Sequence, residues 1–197
     1  MRTYLVTHNA GKAAELKAIL AGGPLKLVIP RKLPNVAEDA DTYAGNALLK
    51  AQALAAALRR RHVSAAVLAD DSGLEVDALD GEPGVLSARF GGAELDWPAR
   101  RALLLGELRG VPPYRRSARF VCNLALLQPD HEPIVATGEV RGYILEGERG
   151  SGGFGYDSLF LYPPLGRSFA ALTQREKNEV SHRRRAADAL LAMLKPT

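Results

Sequence analysis
The sequence predicts an α/β protein: a mixed, twisted central sheet that includes a long antiparallel hairpin and has helices on both sides. Three observations point there. Short apolar runs alternate with helix-period segments from Arg2 to Ala69, the pattern of a parallel sheet covered by helices. Two long runs, Arg119 to Leu127 and Ile134 to Leu145, flank a turn at Pro129-Asp130 and read as an antiparallel hairpin. After Thr173 the apolar spacing becomes helical again and closes the chain.

Arg2 to Val6 reads as the first strand, and the loop Thr7-His8-Asn9-Ala10-Gly11 leads to a helix from Lys12 to Ala21. Leu16, Ile19 and Leu20 give that helix an apolar face, and Gly22-Gly23-Pro24 ends it. Leu25 to Ile29 is a second strand. An acidic loop through Glu38, Asp39 and Asp41 then opens onto a long Ala/Leu helix, Tyr43 to Arg61, with Ala47, Ala51, Leu54 and Leu58 at helical spacing. Ala65 to Ala69 is a short apolar run that stops at Asp70-Asp71-Ser72-Gly73. It reads as a buried strand delivering two carboxylates and a hydroxyl to a sheet edge, where open α/β sheets place their ligand sites.

Leu74 to Leu79 alternates apolar and acidic residues as a separate half-buried strand would, and Asp80-Gly81-Glu82-Pro83-Gly84 is a turn. Asp96, with Pro98 behind it, caps a helix running to Arg109. The hairpin follows. The glycine-rich loop from Gly150 to Asp157 precedes a short strand, Ser158 to Tyr162. Thr173 and Glu176 have capping-box spacing, and one helix with Val180, Ala187, Leu190, Leu191 and Leu194 completes the fold.

A chain of 197 residues fits one domain, residues 1–197, with a core large enough to need no disulfide or structural metal. The single Cys122 agrees, and a reducing compartment is expected. The apolar run before Thr7 and His8 is too short for a signal sequence, and no stretch approaches the roughly 20 apolar residues that cross a bilayer. The expectation is a soluble, cytoplasmic protein without membrane partners. Net charge is +4, but its arginines fall in dispersed clusters (59–61, 100–101, 115–116 and 183–185), and only 6% of residues are aromatic. Dispersed arginines read as solvated faces, whereas a nucleic-acid binder would show a continuous basic stripe with interleaved aromatics.

Adjacent carboxylates such as Asp70 and Asp71 repel unless a cation or proton sits between them. Mg²⁺, which takes carboxylate and phosphate oxygens, is the natural candidate. Thr7 to Lys12 lies between a strand and a helix, so free backbone N–H groups and the helix dipole favour a phosphate there, with Lys12 adding a mobile charge. It lacks the Walker A spacing, and Thr and Asn are also common capping residues. In the second loop Phe154 suits stacking on a planar base, and Asp157 suits accepting from a ring N–H or an amide. Lys177, His182 and Arg183 supply donors for a 6-oxo group, a ring nitrogen and phosphate oxygens. Glu38, Asp39 and Asp41 are solvated loop acids, one of which could complete a metal site with Asp71.

Six blocks now stand in order: Thr7-x-Asn9-x-x-Lys12, Asn46-Ala47-x-x-Lys50-Ala51, Asp70-Asp71-Ser72-Gly73-Leu74, Gly84-x-x-Ser87-Ala88-Arg89, Gly153-Phe154-Gly155-Tyr156-Asp157 and Ser181-His182-Arg183. Together they resemble the inosine triphosphate pyrophosphatase family over nearly the whole chain. The resemblance implies hydrolysis of non-standard purine nucleoside triphosphates (ITP, dITP, XTP) to the monophosphate and pyrophosphate, by a homodimer that acts on small nucleotides rather than nucleic acid. It implies that Thr7, His8, Asn9, Ala10, Gly11 and Lys12 bind the triphosphate, that Glu38 and Asp71 hold Mg²⁺, and that Asp71 is the general base. Ser72 would touch substrate, Phe154, Gly155, Tyr156 and Asp157 would hold the base, and Lys177, His182 and Arg183 would complete its recognition. One departure is Gly45, where family members often carry Glu before the Asn-Ala pair.

Two rivals remain at this stage. A house-cleaning pyrophosphatase of the Maf type would prefer modified pyrimidines or 7-methylguanosine nucleotides. A non-catalytic nucleotide- or RNA-binding protein would use the arginine clusters and show steep salt dependence without turnover.

Overall fold
The structure is a computed structural model, and it describes residues 1–194. Its strands are β1 (Arg2–Val6), β2 (Lys26–Val28), β3 (Ala66–Val76), β4 (Ser117–Leu127), β5 (Ile134–Ile144), β6 (Phe160–Tyr162) and β7 (Arg167–Ser168). They form one sheet in the order β2-β1-β3-β4-β5-β6-β7. The helices are α1 (Ala10–Ile19), α2 (Tyr43–Arg59), α3 (Trp97–Glu107), α4 (Gln174–Val180) and α5 (His182–Met193), with short 3-10 turns between. The α/β class with a mixed sheet is as expected. No helix among the described residues is long and apolar enough to cross a membrane.

The chain divides into two compact units, and β3, β4 and β5 run from one into the other. The first holds residues 1–71, 122–138 and those from 182 on. There β1 pairs in parallel with both β2 and β3, Leu5 opposite Leu68 and Val6 opposite Ala69. Because side chains alternate along a strand, each face of this sheet gathers its own core. Leu5, Leu68 and Leu124 pack with Leu16 of α1 and Ala186 and Leu190 of α5. Val6, Val67 and Ala69 pack with Ala47, Ala51 and Leu54 of α2. This is the continuous apolar run of a strand buried on both faces. Each fully buried Leu contributes about 1.5–3 kcal/mol.

The second unit holds residues 72–121 and 139–181. β6 pairs antiparallel with β5 and with β7. Its core is aromatic: the Phe120 and Phe160 rings lie 4.6 Å apart and the Phe160 and Phe169 rings 4.9 Å apart. Leu104 of α3 and Leu108 just past its end complete it.

Several expectations need correction. The two strands read at Ala65–Ala69 and Leu74–Leu79 are one strand, β3, that runs without a break through Asp70-Asp71-Ser72-Gly73. The acidic pair therefore does not end a strand at a sheet edge. The closing helix is two helices, because the backbone turns extended at Ser181 (φ −69°, ψ 160°) before α5 begins. Serine favours such junctions because its hydroxyl competes for nearby backbone groups. Of the arginine clusters, residues 59–61 are exposed, but Arg100 and Arg116 are buried. Arg100 donates to the carbonyls of Ala88, Gly92 and Leu95. Arg116 donates to those of Leu108 and Val111 just past the end of α3. A guanidinium fork satisfies several orphan carbonyls at once, which a lysine point charge cannot.

Candidate active site
In the first unit the two adjacent carboxylates are sent to opposite faces of β3. Asp70 falls on the face of α1 and α5, and Asp71 on the face of α2, as their partners show. Asp70 Oδ2 lies 3.4 Å from Lys12 Nζ of α1 and 3.4 Å from Arg183 Nε of α5. Asp71 Oδ1 accepts a hydrogen bond of 2.8 Å from Lys50 Nζ of α2. Asp70 thus pairs with Lys12 and Arg183, and Asp71 with Lys50.

Burial pushes the Asp70 carboxyl up, but the charges of Lys12, Arg183 and Lys50 outweigh it and hold Asp70 below the ordinary carboxylate value. Burial likewise pushes Asp71 up, and there Lys50 and Lys12 offset only part, so Asp71 stays above that value. Burial pushes the Lys50 ammonium down, yet Asp71, Asp70 and Glu38 overcome this and keep it protonated.

Lys50 Nζ also lies 3.5 Å from Glu38 Oε2, so Glu38 and Asp71 converge on one cation. Asp39 and Asp41 are exposed. Two converging carboxylates suit Mg²⁺, which is bound through one or two such groups together with substrate phosphates. The described residues hold no cluster of three or more acidic, histidine or cysteine ligands, so a dedicated all-protein cage is not on offer.

The loop before α1 is organised by its own polar residues. Thr7 Oγ1 accepts from the Asn9 N–H at 3.1 Å, and Asn9 Oδ1 caps the helix by accepting from the Lys12 N–H at 3.1 Å. His8 and Ala10 are exposed and Gly11 is half-buried. A helix start of this kind presents positive dipole and amide groups to an anion.

In the second unit the glycine-rich loop folds around Asp157. The carboxylate accepts from the Phe154 N–H at 2.7 Å and pairs with the buried Lys177 ammonium. That ammonium also sits 4.5 Å from the centre of the Phe154 ring. Gly153 is required: its φ is +68°, and a Cβ there would fall 2.2 Å from Asp157 Oδ2. Tyr156 is buried, donating to the Ser87 carbonyl at 3.0 Å and meeting Trp97 edge-on. Ser87 Oγ in turn accepts from the Leu74 N–H of β3, which is how the Gly84-x-x-Ser87 block reaches the loop.

Thr7 to Lys12, Glu38, Asp71, His182 and Arg183 therefore belong to the first unit, and Ser72, Phe154 to Asp157 and Lys177 to the second. Arg183 is engaged more deeply than base recognition required. Its Nη1 donates to Glu15 Oε2 at 2.8 Å, and its side chain is 3% exposed. Glu15 is a residue that sequence reasoning missed. Its signal was a charge beside Leu16 on the buried face of α1, one turn after Lys12. Lys50 stands in the second motif block, where sequence alone assigns it no role.

Comparison with known proteins gives the family. Residues 3–193 match the sequence profile of the Ham1 family. The chain belongs to the Ham1 family. It is 44% identical over 199 residues to a protein of Exiguobacterium sibiricum named dITP/XTP pyrophosphatase, covering 98% of this chain and 97% of that one. A protein of the same name from Geobacter sulfurreducens is 45% identical over 197 residues, covering 98% and 94%. Among solved structures, the Staphylococcus aureus Ham1 protein superposes with a TM-score of 0.84 at 38% identity, covering 98% of each chain. A Mycobacterium abscessus nucleoside-triphosphatase / dITP/XTP pyrophosphatase gives 0.74 at 41% identity, covering 97% and 99%.

Proposed function
We propose that this Ham1-family chain hydrolyses non-standard purine nucleoside triphosphates, ITP, dITP and XTP, to the nucleoside monophosphate and pyrophosphate. The observation that carries the proposal is the convergence of Glu38 and Asp71 on one cation, with Lys12 on the strand's other face at a helix start of the kind that suits a phosphate.

Asp71 accepts a proton from the water that attacks the α-phosphorus, and its burial makes it a stronger base than an ordinary aspartate. Lys12 and the amides at the start of α1 bind the phosphate oxygens and neutralise charge that grows on the departing pyrophosphate. Asp70 keeps Lys12 placed while Arg183 and Glu15 keep Asp70 placed. Mg²⁺, held by Glu38 and Asp71, would supply charge neutralisation on the phosphates and acidify bound water. Ser72, the next residue along β3, contacts substrate.

Base choice rests on the second unit. Phe154 offers a stacking face, and the Lys177 ammonium beside it offers a donor to a 6-oxo group. Adenine presents an amino donor there, so both donors would go unpaired, at about 1–3 kcal/mol for each unmet buried polar group.

The test is pyrophosphate release from ITP, XTP, ATP, GTP, UTP and dTTP at equal concentration, with and without EDTA. The proposal expects ITP and XTP to lead by at least an order of magnitude and EDTA to stop turnover. Preference for UTP or dTTP would favour a pyrimidine-directed enzyme instead, and binding without turnover a non-catalytic protein.

A further inference from the structure
Two residues of α3 grip one glycine of the loop to which the preceding reading gives base recognition. Trp97 and Arg101 stand four residues apart, on one face of the helix. Arg101 Nη1 donates to the Gly155 carbonyl at 3.0 Å. The Trp97 ring lies 3.5 Å from where a side chain on Gly155 would begin, and its edge-to-face partner is Tyr156, at 5.4 Å. The other arm of the guanidinium is anchored: Arg101 Nε lies 2.9 Å from Glu148 Oε2, and that oxygen accepts from Ser158 Oγ at 2.7 Å. Arg101, Glu148, Phe154, Gly155, Asp157 and Ser158 together line a hollow of about 210 Å³.

The loop needs such a fastening. Gly150, Gly153 and Gly155 all take positive φ, and glycine loses more conformational freedom on ordering than any other residue. Asp157 holds the loop from inside, through the Phe154 N–H. Arg101 holds it from outside, at the carbonyl one residue further on. Between these two bonds the Phe154–Gly155 backbone has its orientation fixed, and with it the point from which the Phe154 side chain projects. Neither Arg101 nor Glu148 stands in the six motif blocks.

We propose that Arg101 is a positioning residue for base recognition, acting through the Gly155 carbonyl to set the Phe154 ring against the purine. The proposal depends on the Phe154 loop being the base site. Lysine cannot replace it fully, because a single ammonium does not span the carbonyl and Glu148 as a fork does.

The experiment compares wild type with Arg101→Ala, Arg101→Lys and Glu148→Gln. It reads the dissociation constant of IMP by calorimetry, kcat and KM for ITP, and the melting temperature. For Arg101→Ala the IMP dissociation constant and the KM for ITP should both rise about tenfold, the loss of one charge-assisted hydrogen bond. kcat should stay within about threefold and the melting temperature within a few degrees. Arg101→Lys should recover part of the loss, and Glu148→Gln should show a smaller loss of the same kind. Unchanged IMP affinity in Arg101→Ala would overturn the proposal, as would a joint fall of kcat, affinity and melting temperature, which marks a merely structural arginine. If wild type binds no IMP, the base-site reading fails and this inference fails with it; if wild type binds IMP and the variant binds it equally, only this inference fails.

Discussion
Asp70 and Asp71 are covalent neighbours that face away from each other, and their opposite pKa directions follow from that. Asp71 lies below its partners' full compensation, so its proton is held more tightly than in an ordinary aspartate. For a base that must be ionised, kcat/KM should fall on acidification through a pKa above the ordinary aspartate value, and a pH-rate profile checks this. Asp71→Asn should cut kcat by about 10²–10⁴-fold while the protein still folds, with a lowered melting temperature because the buried Lys50 loses a partner, as read by steady-state kinetics beside a thermal melt. Near-wild-type kcat would remove Asp71 from the role. Asp70 carries the opposite sign. Its folded pKa lies below the unfolded value of about 3.9, so its contribution to stability is full above that value and is lost as pH falls through the folded pKa. Asp70→Asn, leaving Lys12 and Arg183 short of a buried partner, should cost about 3–5 kcal/mol in urea unfolding at pH 7 and should lose stability less steeply in acid than wild type.

At the scale of elements, the caps were the most legible part of the chain. Asp96 accepts from the Ala99 N–H at 2.9 Å, and Thr173 and Glu176 form the capping box their spacing announces. Asn9 is also a cap, which meets its structural reading, and this capping fixes the helix start that the proposed phosphate would use. Asn9→Ala should cost about 1 kcal/mol of stability, measured by denaturation, and should raise KM for ITP more than it lowers kcat. The continuity of β3 was not legible, because Asp-Asp-Ser-Gly has the composition of a loop and a turn. What makes it a strand is tertiary: Lys12, Arg183 and Lys50 arrive from α1, α5 and α2, and only with them can two acids be buried side by side in a sheet. The break at Ser181 was hidden for a similar reason, since the apolar spacing on either side of it is helical.

At the scale of the whole molecule, the α/β class and most strand positions follow from short-range periodicity, which local sequence records directly. The division into two units does not, because it depends on which parts of β3, β4 and β5 pack with which helices. The candidate site was legible in its proposed direct participants: Lys12, Asp71 and Phe154 stand in ordered motifs, and Lys177 lies four residues before the last of them. Its supporting residues, Glu15, Arg101 and Glu148, were not, since a lone charge on a helix or loop carries no partner information in sequence.

The proposed reaction places the attack at the α-phosphorus, and hydrolysis of ITP in ¹⁸O-labelled water with Mg²⁺ reads that choice of bond in one experiment. The account predicts IMP carrying the label and unlabelled pyrophosphate in equal amounts; IDP with labelled phosphate, or label in the pyrophosphate, would contradict it.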